Sequence, residues 1–408
     1  MTARPAPLPR ALRNPAAAAP AEPYAVRRAA VLDAAGFAAA VAEISGWPGY
    51  APTPLLELPT LARELGIGTL LYKDERPRFG LKSFKALGGA YAVANVLREH
   101  VAKARGRAVT GAELLEGRHA ALARGVTVTC ATDGNHGRSV AWGARLFGCR
   151  CVIYVHETVS RGRREAIAAY GADVVEVKGN YDDAVRHAAA QAAAQGWTVV
   201  SDTSYPGYTK IPTDVMHGYG VMAEEIVRQV PGGLPPTHVI VQAGVGALAA
   251  AMCASFWLHW GKGRPMFVVV EPAEADCVYR SLAAGHPVAV TGALDTIMAG
   301  LACGEVSELG WAILSAGANA AVAVSDDEAI RAVRRFAAPL GTDPVVIAGE
   351  TGAAGLAALL AARDHPGIRQ TLALTPDSRV LLLGSEGDTD PLIYQQIVGR
   401  SAEEVLAS

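Results

Sequence analysis

The sequence predicts an α/β fold with parallel sheets joined by right-handed crossovers. Short runs rich in Val, Ile or Leu recur at residues 69–74, 126–131, 151–155, 173–177, 198–201, 238–242, 267–271 and 380–383, each of a length that suits a strand buried on both faces. Helix-patterned stretches follow most of them, at 86–97, 137–147, 163–170, 182–195, 218–229 and 246–259. A chain of 408 residues exceeds what one simple core organises, so two domains are expected. Ahead of this alternation, residues 29–44 read as an amphipathic helix ended by the breaker Gly46-Trp47-Pro48-Gly49-Tyr50.

Composition narrows the function classes. Hydrophobic residues make up 51% of the chain, and Lys+Arg 37 against Asp+Glu 39 leaves a net charge of −2, without the basic excess that nucleic acid demands. No apolar run is long enough to span a membrane, so a soluble, cytoplasmic protein is expected. The six cysteines, at 130, 149, 151, 253, 277 and 303, form no C-x-x-C pair, and no H-E-x-x-H pattern occurs; no metal site is expected. Cys277 and Cys303 lie in segments expected near a site mouth, but spacing does not decide whether they pair. Residues 1–30 are rich in Ala, Pro and Arg and nearly acid-free, a composition shared by transit peptides and by surface-draped extensions; the second reading is favoured.

Four junctions carry chemistry. In the first, Arg78-Phe79-Gly80-Leu81-Lys82-Ser83-Phe84-Lys85 links an apparent strand to an apparent helix. An amine there can form a Schiff base with the aldehyde of pyridoxal phosphate (PLP), which then acts as an electron sink. Lys82 competes with Lys85 for that role and otherwise reads as a solvated or phosphate-proximal charge. In the second, Thr132-Asp133-Gly134-Asn135-His136-Gly137 opens a helix whose first N–H groups suit a carboxylate, while the Asn135 amide suits a phenolic oxygen. An ordinary N-cap turn is the competing reading.

In the third junction, the backbone amides of Gly244, Val245, Gly246, Ala247 and Leu248 suit a phosphate, aided by the helix dipole. A dinucleotide fingerprint would want a third glycine where Ala249 stands, which demotes nicotinamide binding. The fourth follows the last strand: Ser385, in Gly384-Ser385-Glu386-Gly387-Asp388-Thr389-Asp390, can hydrogen-bond a pyridine nitrogen. A neutral partner there favours elimination over fuller delocalisation into the ring.

These four segments, in this order, resemble the fold-type II PLP enzymes, the group of threonine dehydratase and the tryptophan synthase β chain. The resemblance implies two α/β domains with the active site in the cleft between them. Residues 46–95 and 220–408 would form the large PLP-binding domain and 96–219 the small one, after an N-terminal extension and helix at 1–45. The segments 74–89, 132–137, 202–203 with 207–213, 298–305, 349–352 and 385–390 are similar to the 2,3-diaminopropionate ammonia-lyase family, over about 46–398. Generic dehydratases usually carry a small residue where Asp133 stands, and Arg76-Pro77 departs from the small or polar residues expected after Asp74-Glu75.

That resemblance implies Lys85 as the Schiff-base residue, with Phe84, Asn135, the 244–248 amides and Ser385 around the cofactor. It implies Asp133 as the base for the D-isomer and Asp202 for the L-isomer, with Thr132, His136 and Tyr208 also facing substrate. The carbanion would expel the β-amino group, and the resulting aminoacrylate would hydrolyse to pyruvate and ammonia. A homodimer is implied as well. Three rivals stand beside this expectation: elimination from threonine, serine, a 3-hydroxyaspartate or a β-aryl serine; β-replacement; and non-catalytic binding of PLP or a nucleotide.

Overall fold

The computed structural model describes residues 7–132 and 134–407. Among these residues eleven strands form: β1 (Arg10–Arg13), β2 (Leu55–Glu57), β3 (Thr69–Asp74), β4 (Thr127–Ala131), β5 (Arg150–His156), β6 (Asp173–Val177), β7 (Thr198–Val199), β8 (His238–Gln242), β9 (Met266–Pro272), β10 (Ala320–Val324) and β11 (Arg379–Gly384). The chain divides into two compact units. One comprises the N-terminal segment through Ala34, Pro52–Lys82 and the chain from Met222; the other comprises Ala35–Ala51 and Ser83–Val221.

The first unit holds a seven-stranded sheet of order β1-β10-β9-β8-β11-β3-β2. Its five inner strands run parallel, and β1 and β2 close the edges antiparallel. Every residue of β8 and β10 is buried, as expected for a parallel sheet covered on both faces. The helices Asp326–Ala337 and Ala354–Asp364 supply much of the covering core, with Val333, Phe336, Leu356 and Leu360 packed in one cluster with Leu70, Tyr72 and Leu382. Such side chains are worth about 1.5–3 kcal/mol each when fully buried.

The N-terminal segment is draped on this unit and tied down. β1 extends the sheet by pairing with β10. The Arg264 guanidinium donates to the carbonyls of Ala18, Ala19 and Pro20. Buried Trp257 donates its indole N–H to the Glu22 carbonyl and carries the guanidiniums of Arg28 and Arg264 at 4.5 and 4.0 Å from its ring centroid.

The second unit holds a four-stranded, all-parallel sheet of order β6-β5-β4-β7. The helix Lys85–Arg105 packs against the helix Asn135–Phe147, and the absence of side chains permits the approach. A Cβ on Gly89 would lie 1.9 Å from Ser139 Oγ, and one on Gly143 would lie 2.7 Å from Ala90 Cα. This packing assigns residues 83–95 to the second unit, where the sequence reading grouped them with 220–408; residues 35–51 join that unit too.

Several elements differ from expectation for identifiable reasons. The helix expected at 29–44 is two helices, Val26–Ala29 and Ala34–Ile44. Between them the Tyr24 hydroxyl donates to the carbonyls of Arg28 and Leu32, which a continuous helix would use itself. The helix expected at 218–229 begins at Lys210. Pro212 is tolerated because N–H groups in a first helical turn have no intrahelical acceptor to lose.

Candidate active site

Lys85 opens the helix Lys85–Arg105, directly after Ser83 and Phe84. Its ammonium forms an ion pair with Asp202 Oδ2, and its Nζ lies 5.4 Å from the Phe84 ring centroid. Phe84 in turn packs on buried Tyr219, ring centroids 4.7 Å apart. Asp202 follows β7 on the loop that leads to the next helix. Burial alone would raise its carboxyl, but the His136 ring and the Lys85 ammonium outweigh burial and hold it well below the ordinary carboxylate value.

His136 sits in the first turn of the helix Asn135–Phe147, with Nδ1 3.7 Å from Asp202 Oδ2. Its Nε2 is 2.8 Å from the Val200 carbonyl, which only accepts, so Nε2 carries the hydrogen. Burial lowers the imidazole pKa, and the Asp202 carboxylate opposes that shift. An amine, a carboxylate and an imidazole thus meet within the second unit. Removing the ammonium charge would leave burial less opposed and make Asp202 a stronger proton acceptor.

The other residues of this junction are partly spent on its architecture. Thr132 Oγ1 accepts from the N–H groups of Gly134 and Gly137, both at 3.0 Å. A Cβ on Gly137 would lie 2.3 Å from Thr132 Cγ2, so this close fold-back requires glycine. Asn135 is the first helical residue. Asp133 lies outside the described residues. The Tyr208 hydroxyl donates to the Val199 carbonyl and accepts from the Ser201 N–H, both at 2.9 Å, so it fastens the strand end before Asp202.

In the first unit, the residues 242–248 turn from β8 into the helix Ala247–Trp260. Gly246 takes φ 90°, and a Cβ on Gly244 would lie 2.9 Å from Cys303 Sγ and 3.0 Å from the Gly300 carbonyl oxygen. The turn is braced from behind, with Ser307 N–H donating to the Val245 carbonyl and the Cys277 thiol 3.6 Å from the Gly244 carbonyl oxygen. Neither Cys277 nor Cys303 is in a disulfide. Glu271, fully buried at the end of β9, accepts from the N–H groups of Val278 and Tyr279; burial pushes its carboxyl up to about 8.

Ser385 follows β11 and is 1% exposed. Its Oγ accepts from Gln242 Nε2, which also donates to the Leu383 carbonyl. The Ser385 hydroxyl hydrogen therefore remains free to donate elsewhere. Among the described residues buried Gln242 Oε1 has no hydrogen-bond partner. Lys82, one-third exposed, pairs with buried Asp388. Gln242 and Tyr219 were missed as neighbours of the site residues. Gln242 was legible as the one amide ending an apolar strand; Tyr219 carries no such signal.

Among the described residues no cluster of His, Cys, Asp and Glu could hold a metal ion, and no helix is long and apolar enough to cross a membrane.

Residues 46–382 match the pyridoxal-phosphate dependent enzyme family. The chain is 44% identical over 356 residues to the diaminopropionate ammonia-lyase of Escherichia coli K12, covering 86% of this chain and 88% of that one. It is 40% identical to the Salmonella typhimurium LT2 enzyme of the same name, covering 87% and 90%. The structure superposes with a TM-score of 0.85, at 38% identity and 96% coverage of both chains, on Escherichia coli diaminopropionate ammonia lyase in complex with an aminoacrylate-PLP azomethine reaction intermediate. An amine paired to a carboxylate, a glycine turn at a helix start and a buried serine with a free donor are thus found in a chain that belongs to the pyridoxal-phosphate dependent enzymes and, within them, to the diaminopropionate ammonia-lyase family.

Proposed function

We propose that the chain eliminates ammonia from 2,3-diaminopropionate, in D or L configuration, and releases pyruvate and ammonia. The observation that carries this reading is the Lys85–Asp202 ion pair beside His136, in a chain 44% identical to a diaminopropionate ammonia-lyase. It sets a candidate cofactor amine next to a candidate base.

The residues present fit pyridoxal phosphate. Gly244 lets the turn at a helix start pack against Gly300 and Cys303, where a Cβ would collide, and Ser385 retains a hydrogen to donate beside buried Gln242 Oε1, which has no partner among the described residues. When bound, the cofactor supplies an electron sink for negative charge at the substrate Cα. Lys85 is assigned to hold it, the amides of Gly244, Val245, Gly246, Ala247 and Leu248 to bind its phosphate, and Asn135 its phenolic oxygen. Gln242 sets the orientation of Ser385, whose neutral hydroxyl is assigned to the ring nitrogen.

Asp202 is assigned to remove the Cα proton of the L-isomer and Asp133 that of the D-isomer. The helix start at Asn135 and His136 suits the substrate carboxylate. Loss of the Cα proton and cleavage of the Cβ–N bond, then hydrolysis, convert substrate and water to pyruvate and two ammonia. We also take the chain to act as a cytoplasmic homodimer, which light scattering tests for assembly.

The decisive experiment measures pyruvate and ammonia release from D- and L-diaminopropionate, serine, threonine and 3-hydroxyaspartate. The diaminopropionates should dominate. Preference for a β-hydroxy substrate would replace the assignment with a dehydratase, and higher product yield on adding a thiol would point to β-replacement. Absence of the cofactor's visible absorbance band in purified protein would leave a non-catalytic protein.

A further inference from the structure

Just ahead of Lys85, two residues other than glycine hold positive φ: Phe79 at 49° and Lys82 at 55°. Left-handed backbone is unfavourable for an L-residue and persists where the surroundings hold it. At Lys82 those surroundings are the loop that carries Ser385. The Gly387 N–H donates to the Lys82 carbonyl at 3.0 Å, and Lys82 Nζ pairs with Asp388 Oδ2. The other oxygen, Oδ1, accepts from Arg76 Nε at 3.3 Å.

The exposures make this more than a surface pair. The Asp388 side chain is 1% exposed, against 33% for Lys82 and 26% for Arg76. Burying a carboxylate is unfavourable unless cations and hydrogen bonds compensate, and here two cations do. Arg76 is held in turn, its N–H donating to Asp74 Oδ1 at 3.0 Å. A Cβ on Gly387 would lie 2.5 Å from Arg76 Cγ, so glycine is what lets Arg76 lie against this loop. Lys82 is the last residue of the first unit, three positions before Lys85.

We propose that Asp388 is a positioning residue for Lys85: clamped by Lys82 and Arg76, it holds the left-handed turn at Lys82 against the Ser385 loop and so sets the stem that presents Lys85. This inference rests on Lys85 being the cofactor-carrying lysine.

The test compares holoenzyme of the wild type, Asp388→Asn, Lys82→Gly and the double variant, reading the dissociation constant for pyridoxal phosphate, then kcat and KM. Asp388→Asn should weaken cofactor retention about tenfold, the scale of one charge-assisted hydrogen bond, and lower kcat more than it raises KM. Glycine adopts the left-handed turn without a clamp, so adding Lys82→Gly to Asp388→Asn should recover most of that retention. Should Asp388→Asn not fold, Lys82→Gln breaks the same ion pair at a partly exposed position and carries the same expectation. Wild-type retention and kcat in these variants, with only a lowered Tm, would overturn the proposal, as would a double variant no better than Asp388→Asn. A Lys85→Ala variant that kept the visible band and turnover would instead remove the reading on which the proposal rests.

Discussion

Tyr208→Phe separates two roles for one residue. The sequence reading faced Tyr208 toward substrate, whereas its hydroxyl fastens Val199 and Ser201 at the strand end that leads to Asp202. Removing the oxygen deletes two hydrogen bonds, each worth about 1 kcal/mol net, or about 2 kcal/mol of local order. At about 1.4 kcal/mol per factor of ten, turnover of the L-isomer can fall by up to roughly 30-fold. Tyr208 is only half-buried, so water recovers part of this, and a loss of about three- to 30-fold is expected. Turnover of the D-isomer, assigned to Asp133, should stay within about twofold of wild type. The assay is steady-state pyruvate release from each isomer. Equal kcat losses on both isomers would refute the idea that Tyr208 acts through Asp202. A rise in KM on both with kcat unchanged would restore the substrate-contact role.

Asp202→Asn should lower L-isomer turnover by about 100-fold or more, the scale of general-base catalysis, and spare the D-isomer, with Asp133→Asn giving the reverse. Loss on both isomers in each variant would end the two-base assignment. Gly244→Ala places a Cβ 2.9 Å from Cys303 Sγ and 3.0 Å from the Gly300 carbonyl oxygen. The forced shift of the phosphate turn, at about 1–3 kcal/mol for overpacking, should weaken cofactor retention roughly tenfold in equilibrium dialysis; unchanged retention would remove the turn from the phosphate site. Glu271, raised by burial from 4.5 to about 8, keeps a proton in the folded chain that the unfolded chain has lost. Its contribution to stability therefore declines as pH rises from about 4.5 through about 8. Tm measured across that range should fall less steeply in Glu271→Gln, and an unchanged slope would show that other groups set it.

Local pattern made much of the fold legible. β3, β6 and β8 coincide with the expected runs because each is a short apolar or β-branched stretch bounded by turn residues. β10 was missed because its Ala320-Ala321-Val322-Ala323-Val324 is alanine-rich, and alanine favours helix. Only pairing with β9 on one side and β1 on the other makes it a strand. β1, Arg10-Ala11-Leu12-Arg13, has no strand signal of its own and exists because β10 offers an open edge.

The candidate site divides in the same way. A lysine at a strand–helix junction, glycines at a helix start and a serine after a final strand are legible because backbone chemistry at such junctions depends on neighbours in sequence. Residue order alone also carried the family resemblance. Three-dimensional proximity decided the rest. Asp202 lies 117 residues from Lys85 and pairs with it, and Gln242 reaches Ser385 across 143 residues. Lys82, which sequence leaves as a solvated or phosphate-proximal charge, meets Asp388 across 306 residues. A side chain's charge state and hydrogen-bond role depend on what folding packs around it, and that information is not local to the chain.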